Sequence, residues 1–264
     1  MRKLLLVTAF ALACQAQHHD HGAAPSSAAT ATNPFPATAH AGTAVKFGDG
    51  ASGYLALPAG AARKPAIIVI QEWWGLNDWV KEQADRYASQ GYVALAPDLY
   101  RGRVATTMDE AHELSRGLPE DRAIGDLKGA FNYLASRDDV DPKRIGVIGW
   151  CMGGGYALGL ALNEPRLAAV VMNYGRLVTD PAAIAKLNAP LLGNFGAADR
   201  GIPAADVQAF DAALKKAGKS SDIKIYEGAG HAFMNENNKQ GYAKDAAADA
   251  QKRIDAFFAS HLRG

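Results

Sequence analysis

The stretch "RIGVIGWCMGGGYALGLAL", Arg144 to Leu162, decides how this chain is read. "RIGVIG" has the composition of a β-strand, "GGGYALGLAL" begins a helix, and Trp150-Cys151-Met152 falls on the bend between them. Gly149 and Gly153 flank the cysteine in a G-x-C-x-G pattern. A sharp strand-to-helix turn leaves no room for side chains at those positions and strains the residue at its apex. A thiol held there lies at a helix N-terminus, where the dipole and free N–H groups favour thiolate and a developing oxyanion. Cys151 is therefore a candidate nucleophile rather than a small core residue.

From about Thr43 outward the chain alternates strand and helix patterns. "SGYLALP" reads as an early strand, and the wholly apolar run Ala66 to Ile70 suits a central parallel strand buried on both faces. Val80 to Gln90 is helical in composition with Gly91 as its stop, and "YVALAPDLY" is another buried strand. Ile124, Leu127, Phe131 and Leu134 mark one stripe of a helix between Pro119 and Ser136. "LAAVVMNYG", "APLLGNFGAAD" and "DIKIYEGAGHAF" give further strands, and a terminal helix is expected from about Gly241 to His261. Such alternation predicts an α/β fold, a mostly parallel sheet covered by helices on both faces, over residues 44–264. Sites in such sheets collect at the carboxyl ends of strands. Asp199 and His231 each follow a predicted strand, so nucleophile, acid and histidine occur in the order used by α/β-hydrolases. His112 and His261 fall in helical segments and read as surface residues.

The N-terminus has a separate logic. Met1-Arg2-Lys3 is a positive n-region and Leu4 to Ala13 a short apolar run, so residues 1–13 read as a secretory signal. "ALAC" resembles a bacterial lipobox, which makes Cys14 the expected lipidated residue of an outer-membrane lipoprotein. Ordinary cleavage after Ala13 or Ala16, giving a periplasmic protein, is the competing reading. Residues 14–43, rich in Ala, Ser, Thr and Pro, cannot bury a core and read as a disordered tether that includes His40. His18, His19, His21 and Asp20 are of metal-ligand type, but a solvated linker is the simpler reading, and no metal or cofactor is expected. With two cysteines, one of them Cys14, Cys151 has no expected disulfide partner. A formal net charge of +1 with no basic run beyond the first residues excludes an electrostatic nucleic-acid interface.

"QEWWG" after a strand, "APDLYRGR", "GWCMGGGYA", "GAAD" and "GAGHAF" together resemble the dienelactone hydrolase family over roughly Val45 to Leu262. The resemblance implies an α/β-hydrolase fold with Cys151 as nucleophile, His231 as base and Asp199 as its orienter. It implies that Glu72 contacts the resting thiol and is displaced by substrate. The backbone N–H groups of Met152 and Trp73 would form the oxyanion hole, with Trp73, Trp74 and Trp79 walling the pocket or packing the core. The family holds a substrate carboxylate with two arginines. Arg101 or Arg103 fits the first, whereas Asn235 stands at the position of the second. The implied substrate is a small ester or enol-lactone, with a broad carboxylesterase or thioesterase as the alternative, and a non-catalytic lipid-anchored protein on the same fold as a third reading.

Overall fold

The run Ala66–Ile70 is fully buried and lies mid-sheet, as its lack of any polar alternation requires. It belongs to β3 (Lys64–Ile70), hydrogen-bonded in parallel to β4 (Val93–Pro97) on one side and β5 (Val140–Trp150) on the other. The computed structural model describes residues 40–60 and 62–263. Beyond β5 the sheet continues in parallel through β6 (Ala169–Asn173), β7 (Leu191–Gly196) and β8 (Ser221–Tyr226). Beyond β4, β2 (Ala51–Ala56) and β1 (Thr43–Phe47) add antiparallel, giving the order β1-β2-β4-β3-β5-β6-β7-β8.

Helices cover both faces. Apolar residues of α1 (Asp78–Ser89) and α7 (Lys244–Leu262) pack on one face, among them Val80, Tyr87, Ile254 and Phe258. The other face carries α2 (Met108–Arg116), α3 (Glu120–Ala135), α4 (Met152–Ala161), α5 (Pro181–Ile184) and α6 (Ala204–Lys216). Among the described residues no helix is long and apolar enough to cross a membrane.

Element boundaries move where side chains cap or turn the backbone. Helix α1 starts before Val80 because the Asn77 side chain accepts from the Val80 N–H at 3.2 Å. Strand β8 stops at Tyr226, well short of Phe233, because the Ala229 N–H turns back to the Tyr226 carbonyl and the chain leaves the sheet. Helix α7 starts at Lys244 rather than Gly241, because Asn238 accepts from the N–H groups of Gly241 and Tyr242 and holds that segment in turns. His40, expected in the tether, instead lies against α1, with Nδ1 3.1 Å from Asp85 and Nε2 3.3 Å from Asp78. The signal segment 1–13, Cys14, the His18–His21 group and the tether as far as residue 39 lie outside the described residues.

A buried polar chain runs under the end of β5. The Asn173 side chain donates to the Gly149 carbonyl at 3.2 Å, and Asn194 donates to Asn173 Oδ1 at 2.8 Å. Arg253 of α7 donates to Asn194 Oδ1 in turn. Both asparagines are fully buried, so removing one member strands its partners without water. Asn194→Leu should lower stability by about 1–3 kcal/mol, read as a lower urea midpoint at unchanged m-value.

Candidate active site

Cys151 is the residue between β5 and α4, with φ 53° and ψ −120°. This left-handed conformation is strained for an L-residue. Neighbouring backbones crowd it so closely that a methyl group on Gly149 would strike the Gly153 carbonyl, and one on Gly153 would strike the carbonyls of Ile70 and Gln71. The Cys151 N–H donates to the Asn173 carbonyl at 3.1 Å, which ties the bend to β6. Cys151 is buried, 7% exposed.

Asp199 follows β7 and His231 follows β8. His231 Nδ1 lies 2.7 Å from Asp199 Oδ2, and Nε2 lies 3.1 Å from Cys151 Sγ. A carboxylate only accepts, so the carboxylate assigns the Nδ1 proton and leaves Nε2 to face the thiol. Asp199 Oδ1 also accepts from the N–H groups of Gly201 (2.8 Å) and Ile202 (3.1 Å), which fixes the carboxylate plane. The structure therefore brings together three side chains that are 48 and 32 positions apart in the chain.

Glu72, two residues past the end of β3, is 3% exposed, and its Oε2 accepts from Asn235 Nδ2 at 2.7 Å. Burial raises its pKa from 4.5 to about 7, against the lowering effects of the Asn235 hydrogen bond and of His231. The Tyr174 ring meets His231 edge-on at 5.3 Å. Burial pushes the Tyr174 hydroxyl well above its usual value, with the charges of Glu72 and Cys151 adding to that, so it stays neutral.

Trp73 and Trp74 are half-buried and meet edge-on at 5.3 Å beside the bend. The Trp73 carbonyl accepts from the Tyr100 hydroxyl at 3.1 Å, and the same hydroxyl lies 3.2 Å from Met152 Sδ. Tyr100 thus links the two segments that carry the Trp73 and Met152 N–H groups. Met152 opens α4, so its N–H is one of the four that have no partner within the helix. Trp79 belongs to the core, 2% exposed and edge-on to Trp150 at 5.1 Å.

Three expected substrate contacts already have side-chain partners. Arg101 places Nη2 2.7 and 2.9 Å from the two oxygens of Asp126 on α3. Arg103 pairs at 3.1 Å with the exposed Glu113 on α2. Asn235, expected against substrate, is 3% exposed and faces Glu72. Both arginines lie on the turn after β4, where local charges on α2 and α3 compete for them. His112, expected as a surface residue, is half-buried with its ring edge-on to Trp73 at 4.7 Å. The roles of Tyr100 and Tyr174 were not legible because their contacts are distant in the chain, and that of Asn238 because it bonds backbone carbonyls of the His231 loop. Among the described residues no group of three or more His, Cys, Asp or Glu side chains is arranged to hold a metal.

A thiol on a strand-to-helix bend, facing an imidazole that a strand-end carboxylate orients, defines an α/β-hydrolase on this sheet. The chain belongs to the dienelactone hydrolase family, whose model matches residues 51–262. A relative from Methylorubrum extorquens, named "Putative carboxymethylenebutenolidase", is 35% identical over 219 residues, 78% of this chain and 75% of that protein. A protein of the same name from Salmonella typhimurium is 34% identical over 229 residues, 81% and 84% of the two chains. The crystal structure of a "Putative Dienelactone Hydrolase" from Klebsiella pneumoniae matches with a TM-score of 0.76 at 28% identity, covering 84% of this chain and 99% of that one.

The buried carboxyl has a thermodynamic signature. Its pKa is raised on folding, so the folded state binds the proton more tightly than the unfolded state does. The stability this contributes is whole below pH 4.5 and is lost as the pH rises toward about 7. Glu72→Gln should therefore gain on wild type across that window, by on the order of 3 kcal/mol at pH 8. Urea unfolding at pH 4.5 and pH 8 measures it, and an equal difference at both would contradict the burial cause.

Proposed function

We propose that the protein hydrolyses a carboxylic ester or enol-lactone by nucleophilic catalysis at Cys151. The observation that carries this reading is the Sγ–Nε2 and Nδ1–Oδ2 chain at 3.1 and 2.7 Å, set on a strained bend. His231 Nε2 takes the thiol proton as sulfur attacks the acyl carbon, and the Met152 and Trp73 N–H groups receive the developing oxyanion. The C–O bond breaks, and the leaving alkoxide or enolate takes the proton back from His231. This leaves an acyl-thioester on Cys151. Water then attacks, His231 accepts its proton, and the C–S bond breaks to release the acid and regenerate the thiol. Asp199 holds the imidazole in the required tautomer and stabilises its cation.

A thiolate is itself readily expelled, so the site suits good leaving groups such as enolates. The substrate we assign is uncharged around the acyl group. Arg101 is tied to Asp126, and the position four residues after the histidine holds a neutral Asn235 already bonded to Glu72. A charge-assisted clamp for a substrate carboxylate is therefore not built from these residues. This favours a carboxylesterase-like range over strict use of an anionic dienelactone.

Hydrolysis of p-nitrophenyl acetate should fall at least about 10³-fold in Cys151→Ala and about 10²–10⁴-fold in Asp199→Asn. Activity that survives Cys151→Ala would overturn the assignment. In a panel at fixed enzyme, neutral lactones and esters should match or exceed a carboxylate-bearing dienelactone, whereas strong preference for the anion would refute the substrate class.

We further propose export to the outer membrane through lipidation of Cys14, on the strength of the "ALAC" motif after the apolar run. Labelled palmitate should enter the wild-type protein and be lost in Cys14→Ser. An unlabelled, released wild type would instead favour ordinary signal cleavage.

A further inference from the structure

Glu72 and Asn235 are each 3% exposed, and they form a buried side-chain pair across the site. The Asn235 amide has only one orientation available to it. Its Oδ1 accepts from the Asn237 N–H at 2.9 Å, so its Nδ2 must face Glu72. The same loop is internally fastened. Asn235 N–H donates to the Ala232 carbonyl at 3.1 Å, and the Asn238 side chain lies 3.3 and 3.4 Å from the carbonyls of His231 and Ala232. A shift of Asn235 therefore carries His231 with it. At the other end of the bond, Glu72 immediately precedes Trp73, whose carbonyl Tyr100 holds.

We propose that Asn235 is a positioning residue for the hydrolysis, a neutral latch that pins the Glu72 carboxyl beside the Cys151–His231 pair and locks the histidine loop to the segment carrying Trp73. The inference rests on the hydrolase reading. The latch has two consequences that a generic packing residue would lack. It sets the spacing between the base and one oxyanion donor, and it sets how easily the buried carboxyl ionises.

Burial is the main influence on Glu72 and raises its pKa; Asn235 and then His231 lower it, Glu236 raises it, and Tyr174 senses both Glu72 and Cys151. Asn235 is the only one of these that hydrogen-bonds the carboxyl through a side chain in a fixed orientation. An amide donor stabilises the carboxylate without neutralising it, so the group is left to ionise near 7. Removing the donor makes ionisation harder and moves that step upward.

The test follows Cys151 itself, so that it does not depend on turnover. The rate of Cys151 alkylation by iodoacetamide, read on the Cys151 peptide by mass spectrometry, is measured against pH together with kcat/KM for p-nitrophenyl acetate. Besides the pH dependence set by the thiol and its base, which every variant keeps, wild type should show a further step near pH 7 in both profiles, and Glu72→Gln should lack that further step. Asn235→Leu should shift the step up by about one pH unit. Asn235→Asp, close in size, should shift it the same way by placing a second carboxyl against the first, and serves if the leucine variant does not fold. The further step at its wild-type pH in both Asn235 variants, or its persistence in Glu72→Gln, would overturn the latch. An alkylation profile as described in a protein that hydrolyses no ester would sink the hydrolase reading and leave the latch standing.

Discussion

The rest of the site depends on the backbone of Cys151, held at φ 53° where an L-residue is strained by on the order of 1–3 kcal/mol. That conformation persists because the surroundings over-determine it. Gly149 and Gly153 lie so close to other backbone that no side chain fits, and Asn173 grips the bend twice, through its carbonyl and through its amide. Asn194 and Arg253 extend the grip to α7 at the outer layer of the fold. The bend holds the thiol at the start of α4, 3.1 Å from the imidazole. A relaxed strand-to-helix connection would bury the same cysteine as an ordinary small residue.

The two carboxyl groups beside this bend are treated differently by the fold. Asp199 receives three hydrogen bonds, two from backbone N–H groups and one from His231, so it is anchored and aimed. Glu72 receives one from a side chain, Asn235, and burial resists its charge. The first arrangement suits a permanent orienter, the second a group whose proton comes and goes near neutral pH. Tyr174, neutral and edge-on to the imidazole, packs against the histidine without competing for its proton.

Much of this was legible in the sequence because it is written in local pattern. Apolar runs such as Ala66–Ile70 announce buried strands, and glycines at fixed offsets around Cys151 announce the bend. Asp199 and His231 stand out because each follows a strand, and the structure brings both to Cys151. Side-chain direction was not legible. Arg101 reads as a substrate ligand until Asp126, 25 positions later on α3, claims its guanidinium. The partners of Asn235 and His112 were hidden for the same reason, since Glu72 and Trp73 come from the segment just after β3. Tyr100 and Asn238 bond backbone carbonyls, which no residue pattern marks.

The central claim is that the acyl group passes through the Cys151 sulfur. Acid quenching during steady turnover of p-nitrophenyl acetate, followed by peptide mass spectrometry, tests it directly. One acetyl group on the peptide carrying Cys151, released by hydroxylamine and missing from Cys151→Ala, is the result expected. An acetyl group on another residue, or turnover with none on Cys151, would contradict the account.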